Sequence, residues 1–327
     1  MILKFFNDKH IIAQIGIIFL FLVAMLFRNI EIQAPDAFGP VYEMIFNILL
    51  GHNILIFIIY VSLVLLEGSL LQFLVLRYNL IARDNYLVFL FWLILVFSNP
   101  ALVSLNPVLI AIVLITWSLI KLFAISETDN TLPKLFSVGF IISFSSLIYG
   151  LVFYYFGFLI ISLFILSLVN LRQILVSIIS FSLPYLYLLA YAFVFNENIE
   201  FLDKVNFNLE SLIFFSSGTL LWSSIAITTL IALFSIFGLA KLISTLFSKL
   251  IQFRNLVTVL FVMLFVGFIL QFLSGPWWFV HPYVIFVPLA ILVSINLSEL
   301  KRTIYYDLVL TIIMVLEITQ LYFVGNA

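Results

Sequence analysis

The chain has 327 residues, of which 65% are hydrophobic and 9% charged, and its net charge is -1. A soluble domain carries about 25% charged residues, and no soluble core of this size hides so much apolar side chain from water. The near-neutral charge excludes a general basic attraction to nucleic acid. The absence of cysteine excludes disulfides, thiolate nucleophiles and Cys-ligated metals.

Apolar runs near the ~20-residue bilayer length recur from end to end. Residues 1–327 therefore read as one all-α domain, a polytopic transmembrane helical bundle of about eleven spans with short interfacial helices. The first span, Ile11–Phe27, follows a charged start and precedes Arg28-Asn29-Ile30-Glu31, a poor cleavage site. It reads as a retained helix rather than a signal peptide. The loop Arg28–Asn53 comes next and is acidic, with Glu31, Asp36 and Glu43. Within it Val41–Leu50 reads as a short helix lying on the membrane, Glu43 and Asn47 sharing its polar face.

The further spans are Ile54–Leu76, Tyr86–Phe97, Val108–Phe123, Leu135–Tyr149, Leu151–Val169, Ile174–Phe195, Ser216–Phe237, Leu256–Leu273, Pro282–Asn296 and Tyr305–Val324. Tyr86–Phe97 is short for a bilayer and is followed by Ser98-Asn99-Pro100, so it either continues kinked to about Leu105 or is re-entrant. A second acidic loop, Asn196–Leu212, carries Glu197, Glu200, Asp203 and Glu210. Leu239, Leu242, Ile243, Leu246, Phe247, Leu250 and Ile251 make a helical apolar stripe, which reads as an interfacial helix on an anionic leaflet.

Charge orients the bundle. Alternation from a cytoplasmic N-terminus puts Lys4, Lys9, Arg77, Arg83, Lys121, Lys134, Arg172, Lys241, Lys249, Arg254, Lys301 and Arg302 inside. Only Arg28 and Lys204 fall outside, the bias that the positive-inside rule asks for. The expected topology is N-in and C-out, with an odd number of spans.

Few residues carry chemistry. Glu67 lies within the second span, and Glu317 within the last, one turn from Gln320. A charge at the bilayer centre costs about 2.5–3.5 kcal/mol on insertion scales. Each is therefore either a proton or ion site, or a neutral carboxyl hydrogen-bonded to another helix. In the first loop, Glu31 and Asp36 are candidates for a general base or for a divalent metal bridging to a phosphate, and Arg28 for a phosphate ligand. The alternative is ordinary solvated charge. No histidine–cysteine metal set is present, since His10, His52 and His281 stand far apart. In Ser274–Pro282, the pair Trp277 and Trp278 beside His281 either anchors the chain at the interface or stacks on a sugar or lipid headgroup.

The connection Leu76-Arg77-Tyr78-Asn79-Leu80-Ile81-Ala82-Arg83-Asp84-Asn85-Tyr86 leads to a short span, then Asn99-Pro100 and Asn106-Pro107. Val138-Gly139-Phe140, Ser146-Leu147-Ile148-Tyr149 and a later span with Pro184 follow. This succession resembles a family of polytopic inner-membrane proteins of Bacteroidetes that has no assigned function, and the resemblance implies a bacterial inner-membrane location. A more distant resemblance is to the GT-C class of membrane glycosyltransferases. Those enzymes have an N-in first helix, an outer loop with a catalytic acid and interfacial helices, and polyprenyl-phosphate sugar donors. Glu31 and Asp36 stand where that acid would be, and Val41–Leu50 where an interfacial helix would be. The chain departs from the class in its short first loop, its lack of a paired-acid motif and its lack of a soluble C-terminal domain.

Three functions are therefore expected. The first is transfer or binding of a polyprenyl-phosphate glycolipid at the outer face, with Glu31 or Asp36 as base and Arg28 and His281 on the phosphate. The second is a non-catalytic membrane subunit with a protein partner. The third is a proton-coupled transporter using Glu67.

Overall fold

The computed structural model describes residues 39–81, 86–98, 104–125, 131–195, 222–273, 282–298 and 308–313, together with Gly16, Ile30, Ile32 and Leu316. The named elements among the described residues are all helical. They are α1 (Pro40–Leu49), α2 (Asn53–Arg77), α3 (Leu87–Phe97), α4 (Pro107–Ile125), α5 (Thr131–Ile148), a 3-10 turn (Gly150–Tyr154), α6 (Tyr155–Ile165), α7 (Leu171–Phe195), α8 (Trp222–Leu246), α9 (Ile251–Leu273) and α10 (Pro282–Ser298). Among the described residues six helices are long and apolar enough to cross a membrane, namely α2, α4, α5, α7, α8 and α9. The expected spans Ile11–Phe27 and Tyr305–Val324 lie largely outside the described residues.

Cross-helix contacts fix the direction of each helix. The Tyr78 hydroxyl, just past α2, donates to the Ile120 carbonyl near the end of α4 at 2.9 Å. The Tyr42 hydroxyl, just before α2, donates to the Leu105 carbonyl just before α4 at 3.2 Å. So α2 and α4 run parallel, and the chain between them must return. That return is α3, antiparallel to α2, with Trp92 bonded to Val64 and Phe89 packed on Gly68. The starts of α5 and α7 meet through Gln173 and Thr131, and Gly139 of α5 meets Ser177 and Ser180 of α7, so these two are also parallel. Gly238 of α8 faces Asn296 of α10, and Gly267 of α9 faces Ile285 of α10.

Followed through, these contacts gather Arg77, Lys121, Lys134, Arg172, Lys241, Lys249 and Arg254 at one end of the bundle. They are all the lysines and arginines among the described residues. Glu43 lies at the opposite end, on α1. The charge segregation seen in the sequence is thus reproduced by packing that owes nothing to charge.

Helix α3 explains how a short apolar segment survives at membrane depth. Its 11 residues rise about 16 Å at ~1.5 Å per residue, roughly half of a ~30 Å hydrocarbon core. Backbone ends at that depth need cover. Residues Leu87 through Val96 are all buried, and the helix packs against α2 and α10, with Phe91 stacked on Phe234 of α8. Helix α10 is buried all round in the same way, Tyr283 through Leu297 being buried apart from the part-buried Phe286. The outer helices behave differently. Phe193, Phe237 and Phe265 are 86%, 69% and 65% exposed, the apolar surface that lipid would cover.

Two expectations are corrected. The stripe Leu239–Ile251 is not a separate interfacial helix, because α8 runs unbroken to Leu246 and only residues 247–250 turn before α9 begins at Ile251. Gly238, between the expected span and the stripe, sits inside α8 where it packs against Asn296 and Val293. Leu151–Val169 is not one α-helix either, since its first turn is 3-10 and its α-helical part ends at Ile165. The short helix expected at Val41–Leu50 is present as α1, with Glu43 and Asn47 exposed and Tyr42 and Leu49 buried.

Candidate functional site

Glu67 sits midway along α2 and is fully buried. Helix α2 brings it there because Tyr60, Val64, Glu67, Gly68 and Leu71 fall on the inward face at helical spacing. Its Oε1 accepts a 2.6 Å hydrogen bond from the Thr116 hydroxyl of α4. Its Oε2 has no hydrogen-bond partner among the described residues. A buried carboxyl with one oxygen unsatisfied calls for a proton or a cation. Beside it, Gly68 is required for packing: a Cβ there would come within 2.6 Å of the Phe89 ring and 3.1 Å of Trp92.

Two turns away on the same face, about 10 Å along the axis at ~1.5 Å per residue, lies Tyr60. The Tyr283 hydroxyl at the start of α10 lies beside Tyr60 and Asn106. Asn106 is also the N-cap of α4: its Oδ1 accepts the Leu109 N–H at 2.8 Å, and Pro107 follows it at the first helical position. Its side chain thus serves both a helix end and a buried polar contact. Tyr60, Asn106 and Tyr283 form a polar cluster between Glu67 and the end of the bundle opposite the cations.

Ile30, Ile32 and Gly39 of the first loop lie at that same end. Ile30 is buried, and the Ile32 backbone pairs with Leu105, next to Asn106. Farther along, the Gly39 N–H donates to the Ile148 carbonyl at 3.1 Å. Gly39 lies so close to the end of α5 that any Cβ would overlap the Leu147 carbonyl. Tyr42 then reaches back to Leu105, and its burial holds the phenol above its ordinary pKa.

Of the residues singled out from the sequence as carrying chemistry, Glu67 alone lies among the described residues. Arg28, Glu31, Asp36, Trp277, Trp278, His281 and Glu317 lie outside them. Their described neighbours in the chain do converge, however. Ile32 follows Glu31 and pairs beside Asn106, while Tyr283 follows His281-Pro282 and lies beside Asn106. Sequence reading missed Tyr60, Thr116 and Tyr283, which look like ordinary span residues. Asn106 was visible only as a residue that caps or breaks a helix. Among the described residues no group of three or more His, Asp or Glu is placed to hold a metal ion. No family model matches the chain, and no curated protein and no solved structure matches it either.

Proposed function

We propose that this is an N-in, C-out membrane protein of about eleven spans that binds a polyprenyl-phosphate-linked sugar at its outer face, with a GT-C-like arrangement. The observation that carries the reading is the convergence on Asn106. Ile32, next to Glu31, pairs with Leu105 beside Asn106, and Tyr283, two residues past His281, lies beside the same Asn106. Two described residues that flank loops far apart in sequence thus share one neighbour, which supports a common site for those loops. One offers carboxylates and a guanidinium; the other offers indoles and an imidazole. A phosphate-linked sugar needs that combination: cationic or donor groups for the phosphate, aromatic faces for the sugar, and a carboxylate to take the acceptor proton.

In this reading Arg28 and His281 hold the donor phosphate, Trp277 and Trp278 stack on the sugar or the lipid headgroup, and Asp36 or Glu31 activates the acceptor. A divalent metal is compatible with the carboxylates. Alanine at both Glu31 and Asp36 is expected to abolish transfer from a polyprenyl-phosphate sugar in proteoliposomes, a loss of at least 100-fold, the low end of a positioned general base. Unchanged transfer in the double variant would remove these residues from the reaction.

A second reading rests on its own observation, the Glu67 oxygen that has no partner among the described residues. A proton-coupled transporter would use that carboxyl as its coupling site. It requires pH-dependent flux that Glu67→Gln eliminates.

A further inference from the structure

At the basic end of the bundle, α2, α4 and α5 enclose a half-open cleft of about 330 Å³. Its mouth carries Arg77, Lys121 and Lys134, and its floor is apolar, formed by Leu70, Phe73 and Trp117 with their neighbours. We propose that this cleft binds an anionic glycerophospholipid of the cytoplasmic leaflet. The headgroup phosphate sits among the three cations, and one acyl chain lies along Leu70, Phe73 and Trp117. The site is at the other end of the bundle from the proposed glycolipid site and does not depend on it.

Three features select this occupant. The first is charge: Arg77 and Lys121 meet no carboxylate among the described residues, so a phosphate supplies the complementary charge. The second is shape. Phe73 and Trp117 are 48% and 49% exposed, and they extend the cleft into the lipid-facing surface as an acyl chain requires. The third is pre-positioning of the cations. The Lys121 ammonium lies 5.5 Å from the Trp117 ring centroid, and the Arg77 guanidinium lies 5.8 Å from those of Phe73 and Tyr78. Lys134 donates to the Ala124 carbonyl at 3.0 Å, which tethers it over the last turn of α4. Cations held against aromatic rings at the edge of an apolar groove suit a ligand that is charged at one end only. A soluble phosphate would leave the groove empty, and a zwitterionic lipid would bring its own cation to the mouth.

The test is thermal unfolding of the full chain in non-ionic detergent, followed by tryptophan fluorescence. Phosphatidylglycerol, phosphatidylcholine with the same chains, and inorganic phosphate are titrated separately. Phosphatidylglycerol is expected to raise the midpoint saturably, and the other two to leave it unmoved. The double variant Arg77→Gln/Lys121→Gln should weaken the response at least 10-fold. Arg172→Gln, which removes a cation of the same end outside the cleft, should retain the full response. Should the double variant fail to fold, Lys121→Gln alone is read in its place, with at least a 3-fold weakening expected. Equal protection by phosphatidylcholine, a shift produced by inorganic phosphate, or a wild-type response in the Gln variants would each overturn the proposal.

Discussion

Trp92→Ala is expected to be the most destabilising single truncation in the described bundle. Trp92 is fully buried at the centre of α3. It donates from Nε1 to the Val64 carbonyl at 3.0 Å, and its ring lies 6.1 Å from that of Tyr283. Removing it opens a cavity where α2, α3 and α10 meet, and truncations of this kind cost about 3–5 kcal/mol. Because α3 is too short to bridge the bilayer alone, its hold on its neighbours is what keeps it in place. The variant should therefore be lost from detergent extracts, or unfold far below the wild type on heating. Trp92→Phe should keep most of the packing and lose about 1 kcal/mol with the hydrogen bond. A Trp92→Ala protein as heat-stable as the wild type would mean that α3 is not packed as described.

Glu67→Lys is expected to have a comparable effect, for an electrostatic reason. An ammonium at this fully buried position would face Thr116 and apolar side chains with no carboxylate beside it among the described residues. The insertion penalty of about 2.5–3.5 kcal/mol would then be unrelieved, and the variant should fail to accumulate in the membrane. Glu67→Gln should fold normally, because the amide oxygen still accepts the Thr116 hydroxyl. The pair separates shape from charge. If Glu67→Gln proved as unstable as Glu67→Lys, the carboxylate charge itself would be needed and a cation would have to be its partner.

Much of the helical architecture is legible in the sequence, because length and apolarity dictate it. Arg77, Lys121, Lys134 and Arg172 lie at one end of the packed bundle, as their positions between apolar runs imply. The short reach of Tyr86–Phe97 was visible, but what surrounds it was not. A helix apolar on every side reads the same whether protein or lipid covers it, and only packing shows that α3 and α10 are interior while α7 and α8 expose broad apolar faces.

The stripe after Gly238 was misread because periodicity persists through a helix that simply continues. Asn106-Pro107 either caps or breaks a helix by sequence, and in the structure it starts α4. Its second task, meeting Tyr283, comes from a contact between distant segments that no local pattern encodes. The same holds for Thr116, whose hydroxyl becomes informative only once α2 and α4 are known to be parallel.

Native mass spectrometry of the protein released gently from its own membrane tests the central claim most directly. The outer-face reading predicts a retained polyprenyl-phosphate or sugar-linked polyprenyl lipid, lost when Arg28 and His281 are both replaced by alanine. A stoichiometric protein partner with no polyprenyl lipid bound would contradict it, and would make the chain a subunit whose loop acids are solvated charge.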